Sequence, residues 1–132
     1  MNTKKIESIL RLDDLSFEKI SFERIGPKND NEEDHKISVR IGENSEEKVF
    51  RVVLSIKTFK KEEYNTEISL SGIFSFNQEI DNDEKRDFIR SNAIAIMMPY
   101  MRSELTLLTS QPGVNPIVLP PFNVQALLKK RD

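Results

Sequence analysis

Apolar residues recur at every second position through much of the first half of this chain. The alternation is clearest from Phe50 to Ile56, and it resumes at Tyr64 after a short polar turn. A period of two places successive side chains on opposite faces of a strand. The pattern therefore predicts β-strands in this half, with a third strand over about Val49–Phe59 and a fourth strand as its antiparallel partner.

The first strand is predicted over residues 10–22, where the alternation changes phase twice. Apolar residues stand at even positions up to Leu12 and at odd positions at Leu15 and Phe17. From Ile20 onward they return to even positions. Each change of phase predicts a β-bulge or a bend, because one extra residue returns the apolar side chains to the same face.

A polar segment separates this strand from the second one. Gly26–Lys36 has no periodicity, opens with Gly-Pro and is too polar to be buried, so it predicts an exposed connection. Ile37, Val39 and Ile41 then alternate as a short strand that ends at Gly42.

From about residue 81 the pattern becomes that of a long helix. Asp81 or Asn82 can cap it, and Asp83 and Glu84 suit the positive end of the helix dipole. The stretch Ala93–Met98 is apolar all round, which indicates burial on more than one side. Because a domain this small offers little cover, we expect a second subunit to supply it. The predicted interface residues are Ala93, Ile94, Ile96, Met97 and Tyr100.

The charge balance and the lack of cysteine exclude several classes of function. Lysine and arginine number 20 against 22 acidic residues, with no basic stripe, so nucleic acid is not an expected partner. The absence of cysteine fits a reducing compartment, and we expect a cytoplasmic protein. The longest apolar run, Ala93–Met101, is about half of the ~20 residues that a membrane-spanning helix needs. Residues 1–132 are expected to form one domain.

No arrangement of side chains predicts catalysis. His35, the single histidine, lies in an acidic loop that lacks the calcium-loop pattern, so a solvated loop is expected rather than a metal site. The paired carboxylates at Asp13–Asp14 and Glu62–Glu63 are expected to be surface charges. The glycines stand too far apart for a phosphate loop, and no serine lies in a nucleophile elbow. We therefore expect no enzyme activity, no metal and no cofactor.

Several blocks of sequence, in order, resemble the SecB family of export chaperones. They are KISFER at Lys19–Arg24, FRVVLSI at Phe50–Ile56, GIFSF at Gly72–Phe76 and a long block at Met97–Val124. The last block is the most specific, because it combines an apolar-Pro-Tyr-x-Arg helix, a glycine-containing break and a proline-rich tail. The residues that carry this match are Pro99, Tyr100, Arg102, Leu119, Pro121 and Asn123.

The resemblance implies an α+β fold, in which a four-stranded antiparallel sheet packs on a long C-terminal helix. It implies a homotetramer, a dimer of dimers, with the long helices between two sheet layers. It also implies ATP-independent binding of unfolded polypeptides. In the family these clients are preproteins that pass to the motor SecA or, in some relatives, the antitoxin of a toxin–antitoxin pair.

Two surfaces are predicted for these partners. Prolines keep the segment after the helix extended, so its apolar side chains can form the rim of a client groove or can simply cap the core. The predicted client-binding residues are Ile117, Leu119, Phe122 and Val124. The resemblance places a motor-docking face at Glu23 and Glu67 on the outer side of the sheet, where two further aligned positions are Lys19 and Asn65. A non-chaperone adaptor or a small enzyme is the alternative from another class.

Overall fold

Four antiparallel strands and one helix form the part of the chain that the computed structural model describes, which is residues 10–44, 46–77 and 83–120. The elements are β1 (Leu10–Arg24), β2 (Glu33–Asn44), β3 (Val49–Lys60), β4 (Tyr64–Phe76) and α1 (Asp83–Thr109). The strand order across the sheet is β1-β4-β3-β2. The predicted α+β fold, with one long helix after a four-stranded antiparallel sheet, is confirmed.

The two changes of phase in the β1 sequence correspond to two irregularities in its pairing with β4. The register slips by one residue between Leu12 and Asp14, and again between Phe17 and Lys19. Each slip inserts one extra residue into β1, and the apolar residue that follows returns to the inner face of the sheet. The predicted bulges are therefore confirmed.

Strand β2 begins earlier than its sequence indicates. Its pairing with β3 starts with Glu33 opposite Lys60, inside the segment predicted to be an exposed connection. The prediction was wrong for residues 33–36, because the bonds of the strand ladder join backbone groups and tolerate polar side chains at an edge. The connection between β1 and β2 is residues 25–32.

The core lies between the helix and the inner face of the sheet. Leu54 and Ile68 in the sheet, and Met97 on the helix, are completely buried. Gly72 allows the two layers to approach closely. A Cβ atom at this position would lie 2.9 Å from Phe74 Cε1 and 3.0 Å from Met97 Sδ, so a larger residue would displace one of them.

The apolar stretch of the helix is buried largely within its own chain. Ala93, Ile94 and Met97 have no exposed surface and belong to the hydrophobic core. Ile96 is half-buried, and Tyr100 is 49% exposed. For the first three residues, the cover that was expected from a second subunit is supplied by this chain's own core.

Helix α1 begins with the acidic turn that its sequence predicts. Asp83 and Glu84 occupy the first turn, where the helix dipole favours negative charge. The predicted caps, Asp81 and Asn82, lie outside the described residues. Within the described ranges, no helix is long and apolar enough to cross a membrane.

A buried ion pair holds the turn between β3 and β4. Lys60 Nζ lies 2.9 Å from Glu63 Oε1, and neither side chain is more than 5% exposed. The N–H of Asn29 donates to the same Oε1, also at 2.9 Å. Burial raises the pKa of the Glu63 carboxyl, but the hydrogen bonds from Lys60 and Asn29 outweigh it and hold that pKa below its usual value. The prediction of a surface charge was therefore wrong for Glu63, which is part of the interior.

The connection from β1 to β2 crosses this turn and is bonded to it. The N–H groups of Ile25 and Gly26 both donate to the Glu63 carbonyl, at 2.7 and 3.1 Å. A Cβ atom at Gly26 would overlap the Glu62 carbonyl oxygen. The crossing therefore requires glycine at this position, since any side chain would force the two backbones apart.

Tyr64 opens β4 and stacks on Phe22, with 5.1 Å between the ring centres. Burial, followed by the nearby carboxylates of Glu33 and Glu63, raises the pKa of its hydroxyl to about 12. The folded state therefore favours the neutral phenol. The stability that this preference contributes is complete below the ordinary pKa of 10.0 and is lost as the pH rises toward 12.

We expect this behaviour to be visible in a variant in which Tyr64 is the sole tyrosine. The chain has two tyrosines, so Tyr100→Phe leaves only Tyr64. Absorbance of the phenolate should appear near pH 12, together with loss of secondary structure measured by circular dichroism. Ionisation at pH 10 in a chain that stays folded would contradict the assignment.

Candidate functional site

The segment after the helix runs back along it without regular secondary structure. We call residues 114–120 the tail. Thr106 Oγ1 donates to the Ile117 carbonyl at 2.7 Å, and Arg102 Nε donates to the Leu119 carbonyl at 3.2 Å. The N–H of Ile117 donates to Thr109 Oγ1 at 2.8 Å. Side chains of the helix thus satisfy backbone groups of the tail, which in a β-strand would bond to a neighbouring strand.

The tail turns its side chains alternately inward and outward. Ile117 and Leu119 are 5% and 6% exposed and belong to the core, whereas Val118 between them is 77% exposed. The first two of the four predicted client-binding residues therefore fill the core, and a client could reach their side chains only if the tail left the helix. Phe122 and Val124 lie outside the described residues, and their contact with a client stays a prediction.

A surface depression of about 270 Å³ lies between the helix and the tail. Its lining residues are Pro99, Arg102, Ser103, Thr106, Val118 and Leu119. Arg102 is the one charged residue of this lining, and it is bonded to the Leu119 carbonyl. Pro99, Val118 and Leu119 give the depression apolar walls that can hold an apolar side chain.

A second apolar surface follows one side of the helix. Ile96, Tyr100 and Leu107 are separated by four and seven residues, which places them on the same side together with Ser103. Tyr100 and Leu107 are 49% and 68% exposed. We call these four uncharged residues the helix stripe. Leu107 was not among the predicted interface residues, although its seven-residue spacing from Tyr100 could have indicated it.

The predicted motor-docking residues lie on the outer face of the sheet, away from the helix. Glu23 is exposed near the end of β1, and Glu67 Oε1 accepts a hydrogen bond from Lys19 Nζ at 3.1 Å. Lys57 lies directly opposite Glu67 on β3. Both acids line a depression of about 450 Å³ that also contains Phe59, which is 46% exposed. Two lysines therefore flank Glu67 and offset its charge.

Arg24, the last residue of the KISFER block, connects distant parts of the fold. Its Nη1 donates to the Gly26 carbonyl at 2.9 Å, and its Nη2 donates to the Gly113 carbonyl at 3.0 Å. Its guanidinium lies over the Phe22 ring, 5.8 Å from the centre. This side chain thus connects β1 to the turn from which the tail begins.

Within residues 10–44, 46–77 and 83–120, no three His, Cys, Asp or Glu side chains lie close enough together to hold a metal ion. His35 Nδ1 lies 2.9 Å from Thr58 Oγ1. This contact joins β2 to β3 and occupies one nitrogen of the ring.

Comparisons with known sequences give one family and one curated relative. The family model described as "Preprotein translocase subunit SecB" matches residues 4–132 of the chain. The uncharacterized protein MJ0357 of Methanocaldococcus jannaschii is 31% identical over 72 residues, which are 54% of this chain and 46% of that protein. The chain therefore matches less than half the length of that relative.

Two solved structures have a similar fold. The SecB-like chaperone Rv1957 of Mycobacterium tuberculosis, in complex with a ChAD peptide from the Rv1956 HigA1 antitoxin, gives a TM-score of 0.72 over 91% of this chain and 95% of that chain, at 11% identity. A protein of unknown function from Streptococcus agalactiae gives a TM-score of 0.50 over 86% and 97%, at 10% identity. At these identities the likeness concerns the fold alone.

Proposed function

This chain belongs to the SecB family, and from that premise we propose that it is an ATP-independent cytoplasmic holdase for unfolded polypeptides. The main support for the proposal is the way the tail is held against the helix. Helix side chains bond its backbone, so that Val118 is held outward beside the depression next to Pro99. A rim that is already ordered loses little conformational entropy when a client binds.

The strength of such binding depends on how many apolar side chains a client covers. Each one contributes about 1.5–3 kcal/mol at most when it is fully buried. Val118 alone is therefore too small a contact, and a holdase needs several. Phe122 and Val124, the other predicted client-binding residues, follow in the sequence and would extend the same rim.

The double variant Val118→Ser/Phe122→Ser tests this surface. We expect it to bind an unfolded substrate about tenfold or more weakly than the unchanged protein, because two apolar contacts are lost. The measurement is suppression of aggregation of a chemically unfolded substrate as a function of chaperone concentration. Since Val118 is exposed, its replacement should leave the fold intact.

Phe59→Ser is the matched control, since Phe59 is also an exposed apolar residue but lies on the outer face of the sheet. It should suppress aggregation as well as the unchanged protein does. If the control lost as much activity as the double variant, or if the double variant lost none, the tail would not be the client surface.

We also propose that the chain assembles as a homotetramer, a dimer of dimers, through the helix stripe. The stripe is uncharged and includes two large side chains, Tyr100 and Leu107, that are about half exposed or more. Exposed apolar surface of this kind is typical of contacts between protein chains. Assembly would cover it.

Two partners are candidates for the client that the chain holds, a preprotein destined for SecA or an antitoxin. The antitoxin is favoured by Glu67, which Lys19 and Lys57 flank, because this leaves little negative charge for the docking of a motor. The antitoxin peptide in the similar Mycobacterium tuberculosis structure supports the same choice. Direct binding measurements with purified SecA separate the two candidates. Binding that Glu23→Lys weakens would favour the preprotein, and no binding to the unchanged protein would favour the antitoxin.

A further inference from the structure

The outer face of β2 and β3 carries four basic side chains within a small area. We call Lys36, Arg40, Arg51 and Lys57 the basic patch. All four are exposed, and Lys36 lies directly opposite Lys57 in the pairing of the two strands. Arg40 follows Lys36 by four residues on the same face of β2, which is about 13 Å along the strand.

The cations of this patch repel one another and have few partners in their own chain. Like charges directly opposite on a sheet are destabilising, so the pair of Lys36 and Lys57 is unfavourable while it stands alone. Glu67, the acid nearest to Lys57 in the register, is bonded to Lys19. Lys36, Arg40 and Lys57 form no ion pair with any residue in the described part of the chain. An anionic partner would relieve this repulsion.

A depression of about 300 Å³ lies between Arg40 and Arg51. It is open because Gly42 has no side chain, and a Cβ atom there would meet nothing within 4 Å. Arg51 Nε donates to Ser71 Oγ at 2.9 Å, which orients its guanidinium beside the depression. Arg40 forms no ion pair in the described part of the chain, so its guanidinium can donate two parallel hydrogen bonds to a carboxylate.

We propose that the basic patch binds an acidic segment of a partner protein. The site is additional to the client surface, because it lies on the opposite side of the sheet from the tail and the helix stripe. A client and an acidic partner can therefore be bound at the same time.

A short acidic segment fits this surface better than nucleic acid does. The patch is about 13 Å long on β2 and about 20 Å long on β3, and it holds four cations, whereas phosphate binding by a protein depends on a longer run of neutralised charges. Asp34 lies beyond Lys36 on the same face, and Glu18 lies 3.4 Å from Arg51 Nη2. Both would repel a polyanion that continued past the patch.

The test uses the intact protein and a labelled synthetic peptide of alternating glutamate and serine, about six residues long, which spans roughly 20 Å when extended and so covers the patch. The variant is Arg40→Glu/Lys57→Glu, and the matched control is Lys28→Glu/Lys61→Glu, which makes the same change of charge at exposed positions off this face. By fluorescence anisotropy at low ionic strength, we expect the variant to bind about tenfold or more weakly. The control should bind as the unchanged protein does.

Exchange of charge in the peptide provides the second arm of the test. A peptide of alternating lysine and serine should bind the Arg40→Glu/Lys57→Glu variant more tightly than it binds the unchanged protein. The proposal is overturned if the acidic peptide does not bind the unchanged protein, or if the control loses as much binding as the variant. It is also overturned if a single-stranded oligonucleotide of similar length binds as tightly as the acidic peptide, since the patch would then bind polyanions in general.

Discussion

Replacing Lys60 with methionine is expected to lower the free energy of unfolding by about 3–5 kcal/mol, because it leaves the Glu63 carboxylate buried without its cation. Glu63 is completely buried and Lys60 nearly so, and their charged atoms are 2.9 Å apart. Lys60 Nζ also donates to the Asn29 carbonyl at 2.9 Å, so the connection between β1 and β2 loses a bond as well. Urea denaturation at neutral pH measures the change.

Neutral pH is the right condition because the pair contributes fully there. The pKa of Glu63 is lower in the folded chain than its usual 4.5, so its contribution is present above that value and is lost as the pH falls through the lowered pKa. Two controls define the result. Lys61→Met, at an exposed neighbour, should change stability by no more than about 0.5 kcal/mol.

The second control, Lys60→Met/Glu63→Gln, removes both charges and should be more stable than Lys60→Met alone. This outcome would identify the unpaired carboxylate, rather than the lost lysine stem, as the main cause of the loss. If Lys60→Met were no more damaging than Lys61→Met, the buried pair would not hold this turn.

Placing arginine at both large residues of the helix stripe, as Tyr100→Arg/Leu107→Arg, is expected to convert the proposed tetramer into smaller species. Burial of an unpaired charge at a contact between chains costs several kcal/mol, which is enough to change the assembly state at micromolar concentration. Both residues are about half exposed or more in the single chain, so the chain should still fold. Multi-angle light scattering measures the molar mass.

Phe59→Arg serves as the comparison, because it adds a charge at an exposed apolar residue on the other side of the sheet. This variant should remain a tetramer. A stable monomer for the unchanged protein, or a tetramer that survives the double substitution, would remove the helix stripe from the assembly.

Local patterns in the sequence were sufficient for the elements and for some of their irregularities. The bulges in β1 are an example, since the apolar phase changes on either side of Asp13 and Glu18 and the register slips at the same places. Alternation reports them because a strand buried on one face must return its apolar side chains to that face. The acidic first turn of α1 was predicted for the same local reason, the charge of the helix end.

Whether a given side chain is buried was decided by contacts between segments far apart in the sequence. Glu63 is polar and stands in a turn, yet the crossing of residues 25–32 covers it, and Lys60 makes that burial tolerable. Ile117 and Leu119 are apolar residues near prolines, a pattern that fits a client-binding rim as well as a cap on the core. The bonds with Thr106, Thr109 and Arg102 hold the backbone so that both side chains turn toward the core.

The sequence by itself therefore determined the order of the strands along the chain, their faces and the helix, because these depend on neighbours a few residues apart. The tertiary structure alone decided which apolar residues stay available to partners. Met97 meets the sheet at Gly72, and Val118 is turned outward by the bonds on either side of it. Such availability depends on which surfaces the folded chain has already covered, and periodicity carries no information about that.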